Sequence, residues 1–325
     1  MSVVTVCLGQ AGNQVGASFF EALAAEEAGR ASGCFFRASS KSALVPRAVL
    51  VDTEPKVVQA IVAKPCRVTP QPQPAAAAAS MARRRAVAGA SAAAASITLR
   101  YDRTQTYCRQ SGSANNWAFG FRVHGPQCWR RAPVAAAAAA AASTSSYYTS
   151  SAGTTGGSAD ASSASASSVA AAESSASRST NSSSAMWTES SARVSELVRR
   201  EVEKCDEFEG FLVLQSAAGG TGSGVGTYAT RALRDEYRTA FLANALVWPF
   251  QAGEVIVQNY NCALALAHVV KASDAVIMLE NDAADAQARG LLKLGSPSFA
   301  ALNRIIARQV SLFSFIGFQV FVLCE

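Results

Sequence analysis

Hydrophobic and polar positions divide much of this chain into short apolar runs, each followed by a helical pattern. Val3-Val4-Thr5-Val6-Cys7-Leu8 reads as a buried strand, and an amphipathic helix follows to about Glu27. Ala48-Val49-Leu50-Val51 reads as a second strand. Phe211-Leu212-Val213-Leu214 is a third, with a helical pattern from Val225 to Tyr237 behind it. A helix is expected to start near Glu189, and another helical run spans Val255–Lys271. A strand at Ala275–Leu279 is opened by Asp274 and closed by Glu280. Continuous apolar strands alternating with helices predict an α/β domain, a mostly parallel sheet with helices on both faces.

The turns between these elements carry the candidate chemistry. Ser216-Ala-Ala-Gly-Gly-Thr-Gly-Ser-Gly-Val-Gly226 joins the third strand to its helix. Glycines there let the backbone approach an anion and adopt positive φ. The helix behind offers unpaired N–H groups and the positive end of its dipole. Thr221 and Ser223 add hydroxyl donors. The spacing excludes three familiar loops. Val225 stands where a P-loop needs Lys, no frame supplies GxGxxG, and Thr221 replaces the first glycine of a GxSxG elbow. By itself this loop also reads as a plain glycine-rich turn. A second loop, GQAGNQVG at Gly9–Gly16, leaves the first strand in the same way, and a third runs Gly112-Ser-Ala-Asn-Asn-Trp-Ala118. Three such turns in one α/β domain predict several walls of one nucleotide site at the carboxyl ends of the strands. Asp52 and Glu54 follow the second strand and share that end. An isolated Asp-x-Glu is more often a turn than a metal site; beside phosphate loops the metal reading takes precedence.

In this order the motifs resemble those of the tubulin superfamily. GQAGNQVG and AGGTGSGVGT (Ala218–Thr227) are joined by VDTEP at Val51–Pro55, GSANNWAFG at Gly112–Gly120 and LENDA at Leu279–Ala283. MSVVTVCLGQ, FRVHGP (Phe121–Pro126), VEKCDEFEGF (Val202–Phe211) and LVWPFQAGEVIVQNYN (Leu246–Asn261) are closer to the delta branch than to alpha or beta. The similarity covers about 1–70, 100–127 and 187–310.

The resemblance implies a Rossmann-like three-layer GTPase domain that holds GTP or GDP with Mg²⁺. By position, Gly9, Gln10, Ala11 and Gln14 belong to the first nucleotide loop, with Gln10 and Ala11 beside the phosphates and base. Ala114 and Asn115 match a loop that senses the γ-phosphate, and Ala218, Gly219, Gly220, Thr221 and Gly222 match the phosphate cradle. Ala218 replaces the first glycine of the usual triple. Glu254 and Gln258 complete the set, Gln258 where alpha and beta members carry an acidic residue near the ribose. Asn281 and Asn303 match asparagines that read the guanine edge, since an amide presents both donor and acceptor. Phe299 matches an aromatic that stacks on the base. Asp52 and Glu54 match acidic residues that help hold Mg²⁺, mostly through water.

The implied function is GTP binding in a cytoskeletal protein of centrioles, basal bodies and cilia that supports assembly of triplet microtubules. The implied partners are other tubulins and microtubule or centriole components, in the cytoplasm and cytoskeleton. In polymerising members an incoming subunit completes hydrolysis with an acidic residue that lies beyond the matched portion here, so slow or no intrinsic GTPase is expected. Other readings stay open. One is a structural or interaction protein in which nucleotide only stabilises the fold. Another is a self-assembling GTPase of the bacterial cell-division kind, and a third is a truncated product without function.

Composition trims the domain. Ala75–Ser96 is mostly alanine around Arg83-Arg84-Arg85, Ala135–Ala142 is an alanine run, and Ser143–Ser184 is nearly all Ser, Ala, Gly and Thr. Such sequence has too little apolar bulk to offset its ordering entropy. Low-complexity inserts are therefore expected at 71–96 and 129–186 within a domain of 1–310. Residues 311–325 are expected as a divergent apolar tail, with the family's intermediate and C-terminal domains missing. The net charge of +6 comes partly from Arg83–Arg85 and Arg130-Arg131 beside these inserts. No nucleic-acid-binding motif accompanies them, so no nucleic-acid partner is expected. The eight cysteines form no CxxC pair, which argues against zinc, and free thiols in a reducing cytosol are the simplest account. The N-terminus reads as a strand rather than a secretory signal. Val310–Cys324 is shorter than the roughly 20 residues of a spanning helix, so a buried helix or strand is expected rather than a membrane span. His124 and His268 accompany no nucleophile motif, and His268 is expected on or near a helix surface. Trp117 and Trp248 are expected as packing aromatics.

Overall fold

The computed structural model describes residues 2–26, 34–38, 43–68, 97–129, 193–253 and 256–322, with side chains as far as 313 in the last helix. The inserts at 71–96 and 129–186 lie outside the described residues apart from Trp129, as do Trp187, Glu189 and Glu254.

β1 (Ser2–Leu8) is buried along its whole length and turns directly into α1 (Gly9–Glu26). Two short strands follow, β2 (Phe36–Ala38) and β3 (Ala43–Pro46), then β4 (Ala48–Asp52) and α2 (Pro55–Ala63). Pro55 opens α2, where its missing N–H costs nothing. β5 (Cys66–Val68), β6 (Ile97–Leu99) and β7 (Thr106–Cys108) come next. α3 (Trp117–Phe119) passes through a π-helical turn at Gly120–His124 into α4 (Gly125–Trp129). Then come α5 (Val194–Glu203), β8 (Phe208–Ser216), a second π turn at Thr221–Val225, and α6 (Gly226–Glu236). β9 (Phe241–Trp248), α7 (Gln258–Ala272), β10 (Ala275–Glu280), α8 (Asn281–Gly290) and α9 (Phe299–Val322) close the described chain.

Six strands pair in the order β10-β9-β8-β1-β4-β7, and all of the pairings are parallel. From β1 the chain steps outward through β4 to β7, then returns to β8 on the other side and steps outward to β10. The order therefore reverses between β1 and β8, and crevices at such switch points receive ligands. A four-stranded sheet pairs β2-β3-β6-β5.

Burial on both faces explains why β1, β4 and β8 each carry a near-continuous apolar run. Val3 and Cys7 of β1 join one core with Phe19 and Phe20 of α1 and Leu302 and Ile306 of α9. Val4, Val6 and Leu8 face the opposite core, with Trp129, Leu197, Val198 and Leu233. Successive strand residues point to opposite sides, so one strand feeds both cores. The result is the helix–sheet–helix sandwich expected from the sequence.

Several boundaries move. The helical pattern expected from Val225 begins earlier, as the π turn at Thr221. The run expected from Val255 becomes helical at Gln258. α9 crosses the expected boundary at 310/311 without a break, so the apolar stretch from Val310 is helical as far as Val322. Among the described residues no helix is long and apolar enough to cross a membrane. His268 is half-buried, its ring 5.1 Å from Trp117 and 5.3 Å from Phe121.

Candidate functional site

The two glycine loops flank the switch point. α1 begins at Gly9 with φ +71°, and a Cβ there would stand 2.7 Å from the Gly222 amide nitrogen. Glycine alone permits both the conformation and the approach. The head of α1 and the π turn that opens α6 therefore lie side by side at the carboxyl ends of β1 and β8. First-turn N–H groups and the positive ends of both helices are gathered there. Asn13, which the sequence reading did not single out, locks the first loop. Its Nδ2 donates to the Gly9 carbonyl (2.8 Å) and to the Val51 carbonyl (3.0 Å), tying α1 to β4. Gln10 is exposed, and Ala11 and Gln14 are half-buried.

The third loop also joins a strand to a helix, β7 to α3. Ala114 and Asn115 hold φ of 47° and 50°, a left-handed conformation that is costly for alanine. Buried Asn261 in α7 holds the strained turn from both ends. Its Nδ2 donates to the Asn115 carbonyl (2.8 Å), and its Oδ1 accepts from the Trp117 N–H (3.0 Å). A Cβ at Gly220 would stand 2.4 Å from the Ser113 carbonyl oxygen, so this loop presses directly on the glycine cradle. Three hydroxyls meet at that seam. Thr221 donates to Ser113 (3.2 Å), Thr53 Oγ1 lies 3.4 Å from Ser113 Oγ, and Thr53 and Thr221 are hydrogen-bonded to each other. Within the cradle, Ser223 donates to the Gly219 carbonyl, and the Ala218 N–H donates to Ser216 Oγ (3.2 Å).

Asp52 ends β4 on the same side of the sheet. Its Oδ1 accepts from the Glu54 N–H (3.2 Å), while Oδ2 is buried without a partner. Burial pushes its carboxyl up to about 7, against backbone hydrogen bonds from Glu54 and Thr53, and the Glu54 charge adds to the rise. Glu54 is exposed beside the third loop, its Oε1 3.6 Å from where a Cβ on Gly112 would stand.

The residues expected around a base are distributed over α1, α8 and α9. Asn303 Nδ2 donates to Gln14 Oε1 (3.4 Å), which links α9 to the first loop. Phe299 opens α9 with 67% of its surface exposed, its ring 6.3 Å from Phe250. Asn281 is half-buried at the head of α8, where β10 ends. Gln258 is buried, and its amide nitrogen already donates to the Phe250 carbonyl (3.0 Å).

Comparison with known proteins places these loops in a family context. The family described as "Tubulin/FtsZ family, GTPase domain" matches residues 2–168 and 160–288, which takes in every candidate site residue except Phe299 and Asn303. The chain is 30% identical to the tubulin delta chain of Homo sapiens, across 95% of this chain and 52% of that protein. It is 31% identical to the tubulin delta chain of Mus musculus, with the same coverage. It is 26% identical to the tubulin beta-1 chain of Colletotrichum graminicola, again across 95% of this chain and 52% of the relative. The chain thus spans about half the length of these relatives.

Proposed function

This chain belongs to the tubulin/FtsZ family through its GTPase domain, and on that footing we propose that it binds a guanine nucleotide together with Mg²⁺. The observation that carries the reading is the meeting of three strand-to-helix loops at the switch point between β1 and β8. That meeting gathers helix N-termini, hydroxyls and a buried carboxylate in one place.

The residues fit the groups they would hold. A Cβ at Gly219 would meet nothing within 4 Å, so the cradle leaves open space beside its backbone for phosphate oxygens. Thr221 and the first-turn N–H groups of α1 and of the π turn that opens α6 would donate to those oxygens. Gln10, Ala11, Ala114, Asn115 and Ala218 would form the surrounding walls. Asp52 has an unpartnered buried oxygen and a raised pKa, the state of a carboxylate whose charge lacks a counterion. Asp52 and Glu54 would hold Mg²⁺, which keeps several waters and supplies neutralisation of phosphate charge when bound. Phe299 would stack on the base, and Asn281 and Asn303 would read its edge, with Gln14 steadying Asn303. Gln258 would serve near the ribose.

We further assign the chain to the delta branch, acting with other tubulins in centriole, basal-body and triplet-microtubule assembly. Support comes from its 30–31% identity to tubulin delta chains against 26% to a tubulin beta-1 chain. Nucleotide binding is tested by the thermal midpoint with Mg²⁺ and rising GTP, with ATP as the control. A ligand that binds only the folded chain stabilises it by RT ln(1 + [L]/Kd), about 2.7 kcal/mol at one hundred times Kd. A GTP-selective rise that is lost in Asn281→Ala is the expected result, and equal shifts with ATP would overturn the guanine assignment. Tagged protein in ciliated cells should concentrate at centrioles; an even cytoplasmic signal would count against the delta-branch role.

A further inference from the structure

We propose that Thr53 is a positioning residue of this site, whose hydroxyl sets the donor direction of Thr221 and fixes the acidic loop to the phosphate cradle. The inference rests on the phosphate-binding reading above and adds a residue to it. Thr53 lies between Asp52 and Glu54 and is fully buried, Ser113 is 4% exposed, and Thr221 is half-buried at the start of the π turn. Their three hydroxyls come from three different loops and stand within bonding distance of one another.

Each hydroxyl has one hydrogen to give and two lone pairs to accept with. Around a closed triangle every hydrogen is used once and every oxygen keeps one lone pair. Such a ring has no free donor to offer an anion. Of the three, Thr221 is the member that a ligand in the cradle can reach, because the other two are buried. When a phosphate oxygen takes the Thr221 hydrogen, the Thr221 oxygen still accepts from Thr53. A hydroxyl that accepts one hydrogen bond donates a stronger one, and its rotor is held in one direction. Thr53 therefore holds Thr221 pointing at the ligand.

The same side chain has a second effect. The backbone around Thr53 is already tied to the third loop, by Arg109 N–H to the Asp52 carbonyl (3.2 Å) and Gly112 N–H to the Thr53 carbonyl (3.3 Å). The hydroxyl adds the link to the glycine cradle. Carboxylates and cradle are thereby held in one register, and nucleotide affinity should depend on Thr53 most when Mg²⁺ is present.

The test uses the full chain with GTP as the probe, titrated with and without Mg²⁺ by calorimetry. Thr53→Val keeps the shape and removes the hydroxyl, Thr53→Ser restores it, and Ser113→Ala opens the ring from another side. Losing one hydrogen bond of this kind should weaken Mg²⁺–GTP binding about five- to tenfold in Thr53→Val, with a smaller loss when Mg²⁺ is omitted. Thr53→Ser should recover most of the affinity. The double variant Thr53→Val/Ser113→Ala should depart from the product of the single effects, because both act on one ring. If Thr53→Val does not fold, Thr53→Ala takes its place; Ser113→Ala, which keeps the Thr53–Thr221 bond and removes only the acceptor that competes with phosphate for the Thr221 hydrogen, should bind at least as tightly as wild type. Wild-type affinity in Thr53→Val, equal weakness in Thr53→Ser, or strictly multiplicative singles would each overturn the assignment. An unmodified chain that binds no GTP would overturn the phosphate-binding reading and this inference together.

Discussion

Replacing Asp52 with Asn should change the pH dependence of the ligand-free protein and reverse its effect once Mg²⁺–GTP is added. Asp52 is 3% exposed, with one oxygen bonded to the Glu54 N–H and the other unpartnered. Burial raises its carboxyl from 3.8 to about 7. A group whose pKa is raised by folding binds protons more tightly in the folded chain. Its stabilising contribution is complete below the unfolded pKa and is lost as pH rises through the folded one. Over pH 5 to 8 that loss is about 2.5 kcal/mol, of roughly 4 kcal/mol in all. For a domain of this size it corresponds to about 5–10 °C in thermal midpoint.

The assay is the midpoint of wild type minus that of Asp52→Asn, measured in EDTA at each pH. Asn keeps the acceptor for the Glu54 N–H and places an unpartnered amide nitrogen where Oδ2 was, a cost that does not vary with pH. The slope of the difference therefore reports the carboxylate alone. Wild type should lose ground to the variant as pH rises from 5 to 8. Saturating Mg²⁺–GTP should then favour wild type, because a cation held there compensates the buried charge. A flat difference across that range would refute the buried, raised carboxylate, and an equal gain from Mg²⁺–GTP in both proteins would refute its assignment to the metal.

Four further outcomes follow, three from the packing of the loops and one from a buried histidine. Gly220→Ala should cost about 1–3 kcal/mol in denaturant unfolding, since its Cβ would stand 2.4 Å from the Ser113 carbonyl oxygen. Gly219→Ala, whose Cβ meets open space, should leave ligand-free unfolding unchanged and weaken GTP binding in the same titration. Asn261→Ala should destabilise by about 3 kcal/mol, because it strands both the Asn115 carbonyl and the Trp117 N–H; an unaltered midpoint would show that the strained turn needs no clamp. Burial, with the Arg109 charge, lowers the His124 pKa below 6.5. Its stabilising contribution is therefore full above the unfolded pKa and lost as pH falls through the folded one. Midpoints compared between pH 7.5 and pH 5.5 should show an acid-side loss that is absent in His124→Gln.

The strands that place the site were legible because burial on both faces leaves a mark on sequence. β1, β4 and β8 each carry an apolar run (Val3–Leu8 interrupted only by Thr5, Ala48–Val51 and Phe211–Leu214), and glycine or acid follows each of them. β7 leaves no such mark: Thr106-Tyr107-Cys108 is too short to show a period, and only its pairing with β4 makes the third loop a strand-to-helix turn. The residues that fasten the loops were hidden for a different reason. Asn261 acts on Trp117 from 144 positions away, and Thr53 acts on Thr221 from 168. Asn, Thr and Ser occur throughout turns and helices, and nothing local distinguishes the one whose partner lies across the sheet.

These fasteners share a location that explains why the site needs them. β1, β4 and β7 with their loops supply Gly9, Asp52, Thr53 and the turn at Ser113–Asn116, all on one side of the switch point. β8, β9 and β10 supply the glycine cradle and Asn281 on the other, and α7 adds Asn261. Backbone pairing of β1 with β8 joins the two halves through the middle of the sheet but ends at Cys7 and Leu214. Beyond that edge the halves are joined by a glycine contact at Gly9–Gly222, a glycine contact at Gly220–Ser113, the hydroxyl ring and the Asn261 clamp. A multiply charged ligand seated there would add bonds to both halves at once. If the proposed nucleotide binds there, its affinity and the stability of this joint would be coupled through the residues that span the two halves.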